Sequence, residues 1–81
     1  MTTETENQAR ARAAREALKM HYAKRNPKGW PDSMPRQDQI DATKDLITDL
    51  LHLAWDHRLV CTEQEAADLL ESALNHFKAE K

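Results

Sequence analysis

The sequence predicts an all-α protein of three helices, and three observations carry that prediction. Apolar residues recur at spacings of three and four over the C-terminal half. The first 25 residues are dominated by Ala, Arg, Glu and Gln, all good helix formers. The single Gly and all three Pro fall between residues 26 and 37, so the breakers punctuate one place only.

Composition narrows the class further. A chain of 81 residues is one domain at most, with a modest core. One Cys makes no internal disulfide, so a stapled secreted mini-protein is excluded. One Gly is too few for a turn-rich β-sandwich or a phosphate-cradling loop. No stretch approaches the ~20 apolar residues of a membrane span. Residues 1–6 are polar and acidic, the opposite of a secretory leader. The expectation is a single small domain, residues 1–81, located in the cytoplasm and independent of membranes.

The first element is a basic helix over residues 1–25. Thr3 and Glu6 have capping-box spacing. Asn26-Pro27 ends the helix, because the residue before Pro is pushed out of the α region. Ala11, Ala14, Leu18 and Tyr22 share a stripe in which only the last two are large, so the helix offers little burial.

Residues 26–37 form a Pro-rich connection holding Pro27, Gly29, Trp30, Pro31, Met34 and Pro35. It is longer than the roughly 2–8 residues usual between helices. Large apolar residues in such a loop either fold back over a core or meet a partner.

Residues 38–81 read as a helical hairpin. Helix two spans Asp38 to His57, residues 58–61 form the connection, and Thr62 with Glu65 opens helix three with a second capping box. The stripe of helix three is Ala66, Leu69, Leu70, Ala73, Leu74 and Phe77.

Helix two is over-apolar. Leu46, Ile47, Leu50, Leu51, Leu53, Ala54 and Trp55 spread over about 200° of the helical wheel, about twice what a surface helix needs. Helix three covers only part of that arc. The remainder calls for a homodimer or a protein partner, with Trp30, Leu51 and Trp55 as the candidate contacts, since Trp is a frequent interface anchor. The competing reading is a monomeric core completed by Leu18, Tyr22, Trp30 and Met34.

Opposite the arc lie Asp45, Asp49, His52 and Asp56. Asp49-x-x-His52 has the spacing of bundle di-metal sites. Those sites point into a bundle core, whereas this row points away from the apolar arc, so a solvated acidic face is expected and no metal or other cofactor. Nor does the sequence predict an enzyme. Trp30-Pro31-Asp32 is similar to the acid loop of tyrosine phosphatases, but Cys61 is followed by Thr62-Glu63-Gln64-Glu65, which would repel phosphate. Neither a Ser-His-Asp nor a Cys-His pairing is visible, and His21, His52, His57 and His76 are dispersed.

The charge of −2 conceals an asymmetry. Residues 1–37 carry eight basic and four acidic residues, a balance of +4, whereas residues 38–81 carry four basic and ten acidic, a balance of −6. Arg10, Arg12, Arg15 and Lys19 are therefore candidate nucleic-acid contacts, in the alternative reading of a nucleic-acid-associated regulator. Against it, Glu16 lies among them and the four do not share one face. Packing of basic against acidic segments explains both charge blocks at once.

Two stretches carry resemblances. Val60-Cys61-Thr62-x-x-Glu65-Ala66-Ala67-x-Leu69-Leu70 resembles the first helix of the helix-turn-helix in excisionase-like domains, but the same stripe continues through Phe77, leaving no room for a recognition helix. Asp45-Leu46-Ile47-Thr48-Asp49-Leu50-Leu51-His52-Leu53-Ala54, followed by a helix ending Ala73-Leu74-Asn75-His76-Phe77-Lys78-Ala79-Glu80, resembles small helical proteins of phages, plasmids and bacterial genomes. Their Gly-containing turn is replaced here by His57-Arg58-Leu59-Val60. That resemblance implies a mobile-element accessory protein that binds and modulates a host protein.

Overall fold

A computed structural model describes residues 5–81 as three α-helices: α1 Glu6–Arg25, α2 Arg36–Asp56 and α3 Glu63–Glu80. There is no strand among the described residues. The all-α class read from the sequence is the class observed.

The helix ends show why these segments are helical where they are. The N-cap of α1 is Thr5, whose Oγ1 accepts from the Gln8 backbone N–H at 3.1 Å while Gln8 Oε1 accepts from the Thr5 N–H at 2.9 Å. The capping box is therefore Thr5 with Gln8 rather than Thr3 with Glu6. Thr3 lies outside the described residues, and Glu6 becomes the first helical residue, where its charge favours the positive end of the helix dipole. At the other end, Asn26 donates both its backbone N–H and its Nδ2 to the Tyr22 carbonyl, each at 2.9 Å. Lys24 and Arg25 complement the negative end.

The Pro-rich segment is ordered by local bonds. The Gly29 N–H donates to the Asn26 carbonyl at 2.8 Å, with Gly29 at φ 71°, a left-handed conformation that Gly adopts without a Cβ penalty. Gln39 donates its N–H to the Pro35 carbonyl at 3.1 Å and its Nε2 to the Met34 carbonyl at 2.8 Å. Helix α2 thus begins at Arg36, two residues before the expected Asp38, and ends at Asp56, one before the expected His57. Pro35 takes the position just ahead of the helix, where a missing N–H leaves no intrahelical bond unmade.

The end of α2 is a Schellman motif built without Gly. Arg58 sits at φ 57° and donates its N–H to the Trp55 carbonyl at 3.1 Å, while the Leu59 N–H reaches the Ala54 carbonyl at 2.8 Å. Helix α3 then opens at the expected cap. Thr62 Oγ1 accepts from the Glu65 N–H at 3.0 Å, but the Glu65 carboxylate turns to the Cys61 N–H at 2.9 Å instead of the Thr62 N–H. The reciprocal bond of the box has moved one residue upstream.

The chain divides into two compact units, one ending at Thr48 and one spanning Asp49–Lys81, with α2 running through the division. In the first unit Met34 and Ala42 are buried, and Leu18, Tyr22, Trp30 and Leu46 are half-buried. Of Leu18, Tyr22, Trp30 and Met34, named from the sequence as core candidates, Met34 is buried and the other three are half-buried. In the second unit only Ala54 and Val60 are buried, with Leu51 and Ala66 half-buried. Helix α3 has no buried residue at all. Of the stripe expected to pack into a hairpin, Leu69, Leu70, Ala73, Leu74 and Phe77 are exposed and Ala66 is half-buried.

Candidate interaction surface

The second unit places its large apolar side chains in water. Leu50, Leu53 and Trp55 are exposed near the end of α2, Leu59 is exposed in the turn, and Leu69, Leu70, Leu74 and Phe77 are exposed on α3. Trp55 is 54% exposed, Phe77 59% and Leu59 73%. Scattered apolar residues are ordinary on a protein surface, whereas those of α3 lie on one face of one helix. On α3 the stripe spans three turns with Glu63, Glu65, Asp68, Glu71 and Lys78 around it.

The three contacts named from the sequence fall in different environments. Trp55 is exposed and lines a depression of about 390 Å³ with Asp56, Arg58, Val60 and Cys61. Leu51 is half-buried, whereas its neighbours Leu50 and Leu53 face solvent. Trp30 is half-buried in the first unit, where it meets Tyr22 edge to face. Beside that pair, Tyr22, Asn26, Pro27, Lys28, Gly29 and Pro31 line a depression of about 440 Å³. Sequence reasoning singled out helix two and passed over α3 as covered. The signal was present: its six-residue stripe is matched by no equally apolar face elsewhere in the sequence except that of α2 itself.

The basic candidates Arg10, Arg12, Arg15 and Lys19 are all exposed on α1, a helix with no buried residue among those described. At its charged end Arg25 Nη1 lies 3.9 Å from Asp45 Oδ2 of the acidic row, with both side chains more than half exposed. Such a pair contributes little to stability.

Of the acidic row, Asp45, His52 and Asp56 are exposed and Asp49 is half-buried. Among the described residues, no three His, Cys, Asp or Glu side chains are grouped so as to hold a metal ion. Cys61 is exposed, with its Sγ 3.9 Å from the Arg58 carbonyl. No described helix is long and apolar enough to cross a membrane. No protein-family model, curated protein or solved structure matches the chain.

Proposed function

We propose that this protein is a non-enzymatic interaction module that works by contact with another protein chain. One observation supports the reading above the rest: α3 keeps the amphipathic pattern of a packed helix, yet none of its residues is buried. Across the described residues, eleven large apolar side chains are exposed, against a buried core of Met34, Ala42, Ala54 and Val60.

The contacts of the module are the open stripe of α3 and Trp55, with Trp30 and Leu51 secondary because they are half-buried. Together with the resemblance to small proteins of mobile elements, this describes an accessory protein that acts in the cytoplasm by occupying a surface of a host protein or of its own copy. Proximity cross-linking in intact cells tests it. Cross-links to protein chains should concentrate on α3 and disappear with Leu70→Glu/Leu74→Glu. Cross-links confined to α1, or unchanged in that variant, would refute the reading.

The alternative is a nucleic-acid-associated regulator that uses α1. It is supported by the exposure of Arg10, Arg12, Arg15 and Lys19 on a helix whose six basic residues outnumber two acidic ones. A mobility-shift titration against DNA and RNA at increasing salt separates the two readings.

A further inference from the structure

We infer that the occupant of the α3 surface is a second copy of the same helix, packed antiparallel about a two-fold axis that passes between Glu71 and Ser72. This deepens the interaction reading above and rests on it. Two properties of α3 carry the inference, one of shape and one of charge.

The shape argument begins from the stripe itself. Ala66, Leu70, Ala73 and Phe77 lie along the middle of the apolar face, within about 60° of one another on the wheel, and Leu69 and Leu74 flank it on opposite sides. Reversal about the midpoint of this stripe sets Ala66 opposite Phe77 of the other copy, and Leu70 opposite Ala73. Every central layer then pairs a large side chain with a small one. That is the condition for two helices to approach to about 8–10 Å with their side chains interdigitated. A parallel pair in register would set Phe77 against Phe77 and Ala66 against Ala66, crowding one layer and leaving another empty.

Charge selects the same direction. The first half of α3 holds Glu63, Glu65, Asp68 and Glu71 and no basic residue. The end of the chain holds His76, Lys78 and Lys81 against Glu80. Antiparallel pairing lays each acidic half along the basic end of the other copy, with Glu63 near Lys81 and Glu65 near His76 on the same flanks. The two helix dipoles oppose each other as well. Parallel pairing would instead bring the flanking Glu63 and Glu65 of one copy against the same carboxylates of the other.

The test is a size exchange across the interface, read by sedimentation equilibrium of the full chain. Phe77→Ala should raise the dimer dissociation constant about tenfold or more, as truncation of a central aromatic anchor does. Ala66→Phe should weaken the dimer by crowding. The combined Ala66→Phe/Phe77→Ala variant should recover most of the affinity, because it restores one large and one small residue in each end layer. Positions 66 and 77 are about 16 Å apart along one helix, so recovery within a single copy is impossible. Ala66 is half-buried, so a second exchange uses exposed positions: Glu63→Lys and Lys81→Glu should each weaken association at low salt, and together restore it. A dimer in which neither exchange shows recovery overturns the antiparallel register. A monomer at every concentration that binds an apolar dye through α3, and loses that binding in Leu70→Glu/Leu74→Glu, overturns the second copy as occupant and leaves the interaction reading standing. A monomer that binds no dye overturns both.

Discussion

Tyr22, on the last turn of α1, and Trp30, in the Pro-rich loop, meet edge to face with ring centroids 5.4 Å apart and planes inclined by 73°. The contact closes the loop onto the helix it has just left. It joins two residues eight apart across Pro27 and a left-handed Gly29, so loop conformation and aromatic packing support each other. Trp30→Ala and Tyr22→Ala should each lower the unfolding free energy. A double-mutant cycle by urea denaturation should show a coupling of about 0.5–1.5 kcal/mol. Independent effects of the two substitutions would mean that the ring contact is incidental.

Gly29 gives a second prediction from the same loop. A Cβ added there meets nothing within 4 Å, so space is not the obstacle. The obstacle is φ 71°, where an L side chain costs about 1–2 kcal/mol. Gly29→Ala should therefore destabilise by about 1 kcal/mol, part of the strain being offset by the lower entropy of the unfolded chain. Loss of Trp30 fluorescence structure at lower denaturant checks it; unchanged stability would show that the loop relaxes freely.

Arg58 presents the mirror case. It occupies the left-handed position of the Schellman motif, where Gly is the usual residue, and its two backbone bonds to Trp55 and Ala54 show that the strained conformation is used. Arg58→Gly should stabilise the chain by about 0.5–1 kcal/mol, and Arg58→Val should destabilise it, because branching at Cβ is least compatible with positive φ. Thermal melts of the two variants should move in opposite directions.

Capping supplies a fourth prediction. Thr62 satisfies the Glu65 N–H, and Glu65 in turn accepts from Cys61. Thr62→Ala should cost about 1 kcal/mol of helix stability. Because no α3 residue is buried in the single chain, the loss should appear as lower helicity by circular dichroism. If a second copy covers α3 as proposed, the loss should be smaller at high protein concentration.

The alternative reading is tested through α1. Arg10→Ala/Arg12→Ala/Arg15→Ala should leave the protein's oligomeric mass unchanged. If α1 binds nucleic acid, the same variant should abolish a mobility shift that weakens steeply with salt. A shift that survives the triple substitution would remove these residues from consideration.

Legibility in the sequence followed the range of the forces involved. Thr62 as a cap and Asn26-Pro27 as a stop were readable because both act within four residues. Thr5 was missed in favour of Thr3 because Gln8 closes the box as well as Glu6 would, and the two pairs differ by two positions. The start of α2 was placed two residues late, since Pro35 reads as a breaker although it also serves as an entry to a helix. Periodicity identified which residues of α3 share a face, but not that the face would be open. That depends on what packs against the face, which periodicity does not report. The wheel likewise places Leu50, Leu51 and Leu53 on one arc without showing that Leu51 is half-buried and the other two exposed.

The open stripe of α3 also bears on how long the protein survives. A helix with no buried residue is held by its own backbone bonds, and such helices open readily. If a partner covers α3 as proposed, single copies should be cleaved by proteases at this Leu-rich segment faster than occupied ones, and the steady-state amount of the protein should rise with the number of surfaces available to take α3.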